Sequence, residues 1–205
     1  MRSLLVFVCS ILAASANAGL INYTDEASFL ADAGTGLTLI DFDSATGSTT
    51  SYTESGVTFA TNGTEADAIV IGDYASTGSS QIFSNYFVNN LIITFAGAGI
   101  NAFGSDIFSL FSGSTLSFEL LLSDTTTEVV TVDSADGYFA TILDGGNYIT
   151  QVTVNSLSAQ AEGLDNFYFG TVAASTPSTS VTEPATLGVL ALGLSGLVGL
   201  RRRQR

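Results

Sequence analysis

Asp41 and Asp43 stand on either side of Phe42, and far down the chain Asp165 is followed by Asn166. In an extended strand, side chains two residues apart share a face, so a strand running from Thr38 to Phe42 sends both carboxylates of the first pair the same way. If the first and last strands are neighbours, these acids and the amide gather the oxygen-rich surroundings that Ca²⁺ takes, with about six to eight ligands. Asp41, Asp43 and Asp165 are therefore a candidate structural Ca²⁺ set. The plainer reading is strand-end acids that face water or bond turn amides. No other cofactor is required.

A second chemistry open to carboxylates is glycoside hydrolysis by a pair of acids, and the body offers Glu54, Glu65, Glu119, Glu128 and Glu162. Glu119 lies in a strand, opposite its core face, where a groove can present it; an exposed strand residue is the competing reading. Other catalytic arrangements are excluded by what the chain lacks. Between Arg2 and Arg201 there is no Lys, Arg or His, and the single cysteine is Cys9. A Ser-His-Asp triad, a Cys-His pair, a His-ligated zinc and cationic phosphate handling are all impossible. The body is accordingly read as noncatalytic. Seven tyrosines but no tryptophan are present. Tyr74 and Tyr86 each sit in a Gly/Ser/Asn-rich segment where a loop can offer the ring to a sugar, so they are the candidate ligand-binding residues.

Net charge is −14, and eighteen of the nineteen acids lie between Asp25 and Asp165. A body with no base cannot neutralise phosphates, which excludes nucleic acid as a partner. Its acids repel one another, and salt screens that repulsion over about 8 Å at physiological ionic strength.

The elements that must position these groups read as all-β. Short β-branched and aromatic runs are separated by Gly, Ser, Thr, Asn and Asp, and residues 19–171 have the size of one domain. Leu116, Phe118, Leu120 and Leu122 alternate with Ser117, Glu119, Leu121 and Ser123, as a strand with one buried face requires. Further strands are expected over 38–42, 57–61, 68–72, 91–95, 100–108, 128–132, 138–143, 149–154 and 166–170. Only Thr24 to Ala33 reads as a helix, capped by Thr24 and stopped by Gly34. About ten strands with no βαβ spacing predict an antiparallel two-sheet sandwich, jelly-roll-like, with one short N-terminal helix. Residues 172–181 follow as a polar linker.

Both ends point to export. Arg2, an apolar stretch from Leu4 to Ala14 and the small-x-small site Ala16-Asn17-Ala18 form a signal peptide over 1–18, cut by signal peptidase before Gly19. At the other end, Glu183 and Pro184 precede a 16-residue uncharged run, Ala185 to Leu200, closed by Arg201, Arg202, Arg203 and Arg205. As a helix that run is roughly 24 Å long, enough to cross a thinned bilayer, with the arginines as a cytoplasmic stop.

The order Val-Thr-Glu-Pro-Ala-Thr-Leu-Gly, a Gly/Leu/Ala run and a terminal Arg cluster resemble the PEP-CTERM sorting signal of exported bacterial proteins. Thr182 stands where the family's first Pro is usual; Glu183 and Pro184 are the matching residues, and the signal covers 182–205. The resemblance implies an exosortase-like processing enzyme as a partner, which cuts near the motif. It also implies export across the bacterial inner membrane, a membrane-anchored precursor and a final place in the cell envelope or extracellular matrix. A plain C-terminal anchor is the alternative. Ile40-Asp-Phe-Asp43, Gly56-Val-Thr-Phe59, Ala102-Phe-Gly104 and Gly163-Leu-Asp-Asn-Phe-Tyr-Phe-Gly170 resemble ectodomains carried on such tails. They imply a lectin-like or carbohydrate-binding-module-like sandwich with extracellular polysaccharide as partner. A structural or adhesive role leads, with a carbohydrate-binding module or a carboxylate-dependent glycoside hydrolase as alternatives.

Overall fold

The computed structural model describes residues 19–173 apart from 75, 87, 110–114, 134–136 and 157–161. The signal peptide, most of the linker and the whole sorting tail, including 185–200, lie outside the described residues. Among the described residues no helix is long and apolar enough to cross a membrane.

The chain runs through β1 (Leu20–Tyr23), α1 (Glu26–Ala33), β2 (Leu37–Ile40), β3 (Gly47–Thr49), β4 (Ser51–Glu54), β5 (Val57–Thr61), β6 (Ile69–Gly72) and β7 (Gln81–Ser84). It continues through β8 (Leu91–Phe95), β9 (Ala102–Ser109), β10 (Thr115–Leu122), β11 (Thr127–Asp133), β12 (Tyr138–Leu143), β13 (Ile149–Ser156) and β14 (Glu162–Gly170). The larger sheet has the order β1-β12-β9-β14-β7-β6-β3, with β2 also paired to β14, and the smaller one β11-β10-β13-β8-β5-β4. Every ladder is antiparallel. The expected two-sheet sandwich with one short helix is what the chain forms.

Strands with a clear period of two came out where the alternation put them. Leu116, Phe118, Leu120 and Leu122 are all buried, and 57–61 and 91–95 match the observed strands residue for residue; so does 138–143, which shows no alternation, all six residues being buried, and was marked instead by its aromatic and β-branched run. Four strands were missed. β3 and β4 are short and polar, β7 is Gln-Ile-Phe-Ser with every residue buried and so no alternation, and β1 abuts the cleavage site. The helix also begins later than expected. Asp25, not Thr24, is the N-cap, its carboxylate accepting from the Ser28 N–H at 3.0 Å, and Gly34 ends the helix with φ 71°. A carboxylate caps at least as well as a hydroxyl and also meets the positive end of the helix dipole.

Between the sheets lies a core led by phenylalanines. Phe42 meets Phe59 edge-on at 5.2 Å, Phe59 meets Phe167 at 5.4 Å, Phe167 stacks on Phe103 at 6.1 Å, and Phe103 leads through Phe139 to Phe118, 4.4 Å away. A second, smaller cluster covers the outer face of the larger sheet. There Phe29 and Ala33 of α1 pack on Ala102, Tyr138, Ala140, Ile142 and Val172. Val172, expected in the linker, is buried and held to Asn101 in both directions: its N–H donates to Oδ1 at 2.7 Å and its carbonyl accepts from Nδ2 at 2.9 Å.

The helix can lie this close because β9 presents Gly104 beneath it. A Cβ there would stand 2.4 Å from the Tyr138 hydroxyl, 2.6 Å from the Ala140 Cβ and 3.0 Å from Phe29 Cε1. We expect Gly104→Ala to lift Phe29 and cost about 1–3 kcal/mol, the usual cost of overpacking a tight site. Urea unfolding monitored by circular dichroism measures it, and an unchanged midpoint would count against this close packing.

Candidate functional site

The geometry of β14 is set by one extra residue. Asp165 pairs with Asp106 and Tyr168 with Gly104, so three steps on β14 match two on β9. Asn166 takes φ 45°, a left-handed conformation that asparagine tolerates better than most residues. The bulge switches the alternation, so Leu164 and Phe167 both enter the core although they are three residues apart. Asp165 is thereby left on the outer face, beside Asp106. The carbonyl freed by the bulge accepts from the buried Ser105 hydroxyl at 2.7 Å.

Around Asp165 the donors are neutral. Its Oδ1 accepts from the Asn166 N–H at 2.7 Å and its Oδ2 from the Ser79 hydroxyl at 2.6 Å. The Asn166 side-chain amide donates to Asp106 Oδ2 at 2.7 Å. Asp43 Oδ1 accepts from the Ser80 N–H at 2.9 Å and lies 3.4 Å from the Ser79 oxygen, whose single proton is committed to Asp165. Burial raises the pKa of Asp165, which is only 2% exposed; Ser79 and the Asn166 N–H oppose the rise, and the charges of Asp106 and Asp43 add to it. Burial likewise raises Asp106, opposed by Asn166 and reinforced by Glu26. Glu26 itself accepts from the Tyr168 hydroxyl at 2.6 Å, and burial with this partner pushes that phenol up to about 12.

These bonds hold one loop. Residues 73–80 join β6 to β7, and within them Asp73 accepts from the Thr77 N–H at 2.7 Å and the Gly78 N–H at 3.0 Å. Asp43 and Asp165 tie down the far end through Ser80 and Ser79. The buried Gln81 amide donates to the Thr77 hydroxyl at 2.5 Å and to the Ser79 carbonyl. At the near end Tyr74 folds back over Gly72, where a Cβ would lie 3.0 Å from its ring. It stands edge-on to Phe83, centroids 5.9 Å apart, and Phe83 in turn covers Gly163 of β14. Tyr74 remains 52% exposed, so it is an aromatic surface held in place from below and open above.

The expected site residues therefore separate. The strand expected to come first, 38–42, does neighbour the last one, since Ile40 to Leu37 of β2 pair with Phe167 to Gly170 of β14, although the fold's first strand is β1, which pairs with β12. Asp43, Asp165 and Tyr74 fall on one loop. Asp41 does not join them: β2 ends at Ile40 and Phe42 turns to φ 58°, so the alternation that was to align Asp41 with Asp43 stops, and Asp41 instead accepts from the Asp43 N–H at 3.1 Å. Among the described residues no group of three or more acidic side chains is placed to hold a metal ion. Tyr86 follows β7 at the opposite end of the β6–β7 ladder from Tyr74, bonded to Asp67 at 2.9 Å. Glu119 is exposed with Val129 and Thr153 as its cross-strand partners, so no second carboxylate faces it across either neighbouring strand. Ser79, Ser80, Asp106 and Phe83 were not foreseen. Only Asp165-Asn166, a residue pair suited to a left-handed bulge, carried a signal.

Because Asp165 has a raised pKa when folded, the folded protein binds its proton before the unfolded chain does. Its ionisation costs stability at neutral pH, and that cost is relieved as pH falls through the raised value. Ser79→Ala removes a bond to the ionised form, leaves a buried acceptor without its donor and raises the pKa further. We expect a loss of about 1–3 kcal/mol at neutral pH, shrinking as pH falls from neutral through the raised value of Asp165. Chemical unfolding of both proteins across that range gives the difference, and a deficit that stays constant or grows on acidification contradicts the assignment.

No curated protein matches the chain. Solved structures similar to it include a family 29 carbohydrate-binding module, at 13% identity over 71% of this chain and 98% of that one, with a TM-score of 0.42. Another is the xylan-binding CBM22-1 domain from a Paenibacillus barcinonensis protein, at 14% identity over 70% and 99%, TM-score 0.40. A third is a family 11 carbohydrate-binding module from Clostridium thermocellum, in complex with a mixed-linked tetrasaccharide, at 13% identity over 69% and 99%, TM-score 0.38. Residues 180–203 match the PEP-CTERM protein-sorting motif, spanning Thr182, Glu183, Pro184 and Arg201 to Arg203. The chain thus carries, behind an antiparallel β-sandwich, a PEP-CTERM sorting signal that implies export, processing by an exosortase and sorting to the cell envelope.

Proposed function

We propose that this protein is an exported, noncatalytic sandwich, delivered to the cell envelope or to an extracellular polysaccharide matrix, where it acts as a structural or adhesive component that takes carbohydrate at the 73–80 loop. The observation that carries the reading is the sorting motif over 180–203, downstream of a body with eighteen acids and no base. The loop supports the carbohydrate part. An exposed tyrosine immobilised over Gly72 and against Phe83 loses little freedom on binding, and preorganised aromatic area of this kind contributes much of the energy at recognition surfaces. The exposed Asp73 carboxylate and Thr77 hydroxyl beside it have acceptor capacity suited to sugar hydroxyls.

The hydrolase alternative has less support. Asp106 and Asp165 are adjacent acids with raised pKa values, yet Asp165 is 2% exposed, and both are engaged by Asn166. An acid so covered does not reach a glycosidic oxygen. Glu119 is reachable but has no second carboxylate across either neighbouring strand, and the chemistry needs two.

Two measurements test the proposal. Electrophoresis through gels containing soluble plant or bacterial polysaccharides is expected to show retardation by at least one polymer. Tyr74→Ala should weaken it at least about fivefold, the effect of a hot-spot aromatic, while Tyr86→Phe leaves it unchanged. Retardation unaffected by Tyr74→Ala would move the site elsewhere. Separately, intact mass of protein recovered from its final location is expected to begin near Gly19 and to lack Arg205; an intact arginine tail there would leave only an anchor.

A further inference from the structure

On the outer face of the larger sheet, Tyr138 of β12, Asp106 of β9 and Asp165 of β14 stand side by side in one cross-strand row, and Ala140, Gly104 and Tyr168 form the row beside it. Gly104 has no side chain, and Tyr138 leans over it: a Cβ there would stand 2.4 Å from the Tyr138 hydroxyl and 3.0 Å from Phe29 Cε1 of the covering helix. Glu26, in the first turn of α1, reaches the same place, since it accepts from the Tyr168 hydroxyl at 2.6 Å. Tyr138 is 5% exposed, and its hydroxyl has no hydrogen-bond partner. A buried hydroxyl left unbonded is costly, and in a native fold it calls for an explanation. Burial holds this phenol above its ordinary pKa, with Glu26, Tyr168, Asp106 and Asp25 adding to the rise, so the hydroxyl keeps its proton and stands among acids without bonding any of them. Those acids are themselves only half engaged. Glu26 Oε1 accepts from Tyr168 and Asp106 Oδ2 from Asn166, while among the described residues the second oxygen of each takes no hydrogen bond. No base between Arg2 and Arg201 neutralises them.

We propose that Glu26, Asp106 and Tyr138 form a pocket for an amino sugar in its ammonium form, one that carries a protonated amine beside a hydroxyl on the neighbouring carbon. The ligand class follows from what the pocket lacks. The open oxygens of Glu26 and Asp106 call for cationic donors, which no residue of the body supplies. The Tyr138 hydroxyl calls for an acceptor, which neither a bare cation nor a lysine ammonium offers. A vicinal amino alcohol meets both needs: its N–H groups donate to the two carboxylates, and its hydroxyl oxygen accepts from Tyr138. Charge-assisted bonds of this kind are stronger where water is partly excluded, as it is around half-buried Glu26 and Asp106. The positive end of α1 is already met by its Asp25 cap, which offsets the repulsion of a cation by the helix dipole. Among the described residues no three acidic side chains are placed for a metal ion, whereas two carboxylates and a hydroxyl suffice for an ammonium. The inference rests on the carbohydrate reading and deepens it. Asp165, at the end of the row, accepts from Ser79 of the 73–80 loop at 2.6 Å, so the pocket borders the loop that presents Tyr74.

Isothermal titration calorimetry of the full-length chain in nonionic detergent tests this with a glucosamine tetramer and its N-acetylated form, at about pH 6, where an amine is protonated and ordinary carboxylates are ionised. The tetramer is expected to bind, and acetylation, which removes the charge, to weaken binding at least about tenfold. Tyr138→Phe deletes only an unbonded hydroxyl, so its unfolding midpoint should equal or exceed that of the parent, while its affinity for the tetramer falls about tenfold. A purely structural hydroxyl would leave that affinity unmoved. Asp106→Asn should weaken binding at least as far, and Glu119→Gln, which removes an equal charge from the smaller sheet, should leave it unchanged. Equal binding of the two tetramers, an unchanged affinity in Tyr138→Phe, or a loss in Glu119→Gln as large as in Asp106→Asn overturns the proposal. A protein that ignores the tetramer but is still retarded by neutral polysaccharide through Tyr74 overturns the pocket and leaves the carbohydrate reading standing, and one that binds neither overturns both.

Discussion

Placing Phe167 in the core is the constraint from which much of the structure follows. Its ring lies among Phe59, Phe95, Phe103 and Phe169, at centroid distances of 5.4, 6.3, 6.1 and 6.0 Å, and so touches both sheets. Leu164, three residues earlier, is also in the core. A regular strand cannot put residues three apart on one side, so β14 must carry an extra residue between them. Asn166 supplies it at the cost of a left-handed backbone. The acids, the loop and the exposed tyrosine are then placed by that bulge: Asp165 stays outside, its carbonyl turns to Ser105, and its carboxylate is available to Ser79.

A body without cations must satisfy its carboxylates by other means, and the described bonds show how. Asp25 caps a helix, Asp73 and Asp124 close turns, and Asp67, Asp32 and Glu26 accept hydrogen bonds from the phenols of Tyr86, Tyr23 and Tyr168. Donors that are neutral compensate a charge less fully than Lys or Arg does, and the consequence is visible in both directions. Exposed Asp25 and Asp124, held by side-chain and backbone donors, have lowered pKa values, whereas Asp165, buried, and Asp106, partly buried beside it, have raised ones. The first pair stabilises the fold above the ordinary carboxylate range and loses that contribution in acid, while the second pair gains on protonation. Acid tolerance is therefore a balance among carboxylates alone.

What the sequence made legible is what obeys a local period. Strands that bury one face, such as β10, announce themselves by alternation, and the sandwich follows from their number and spacing. β7 did not, because only Ile82 and Phe83 are apolar, between polar Gln81 and Ser84, and its membership depends on partners distant in the chain. The same limit applied to the site. The nearness of Asp43 to Asp165 was readable from the pairing expected between the 38–42 strand and the last one. The failure of Asp41 was not, because it depends on where β2 stops, and that is set by Phe42 turning into the core towards Phe59. Tyr74 and Tyr86 look alike in composition, yet antiparallel pairing of β6 and β7 sends them to opposite ends.

Glycine links the core to the exposed ring by a route that no motif encodes. Gly163 lacks a side chain on the outer face of β14, so the Phe83 ring can lie over it, and Tyr74 then meets the edge of Phe83 while folding over Gly72. A side chain at either glycine would lift one ring and loosen the next. Stiffness at the surface is thus inherited, layer by layer, from the strand that Phe167 fixes. The loop needs that stiffness twice over, since one of its ends hangs on a hydroxyl between two acids that repel one another. With Ser79 bonded to Asp165 and the Ser80 N–H bonded to Asp43, the repulsion is divided between two donors on adjacent residues. The loop is held because both acids need it, and Tyr74 is presented because the loop is held.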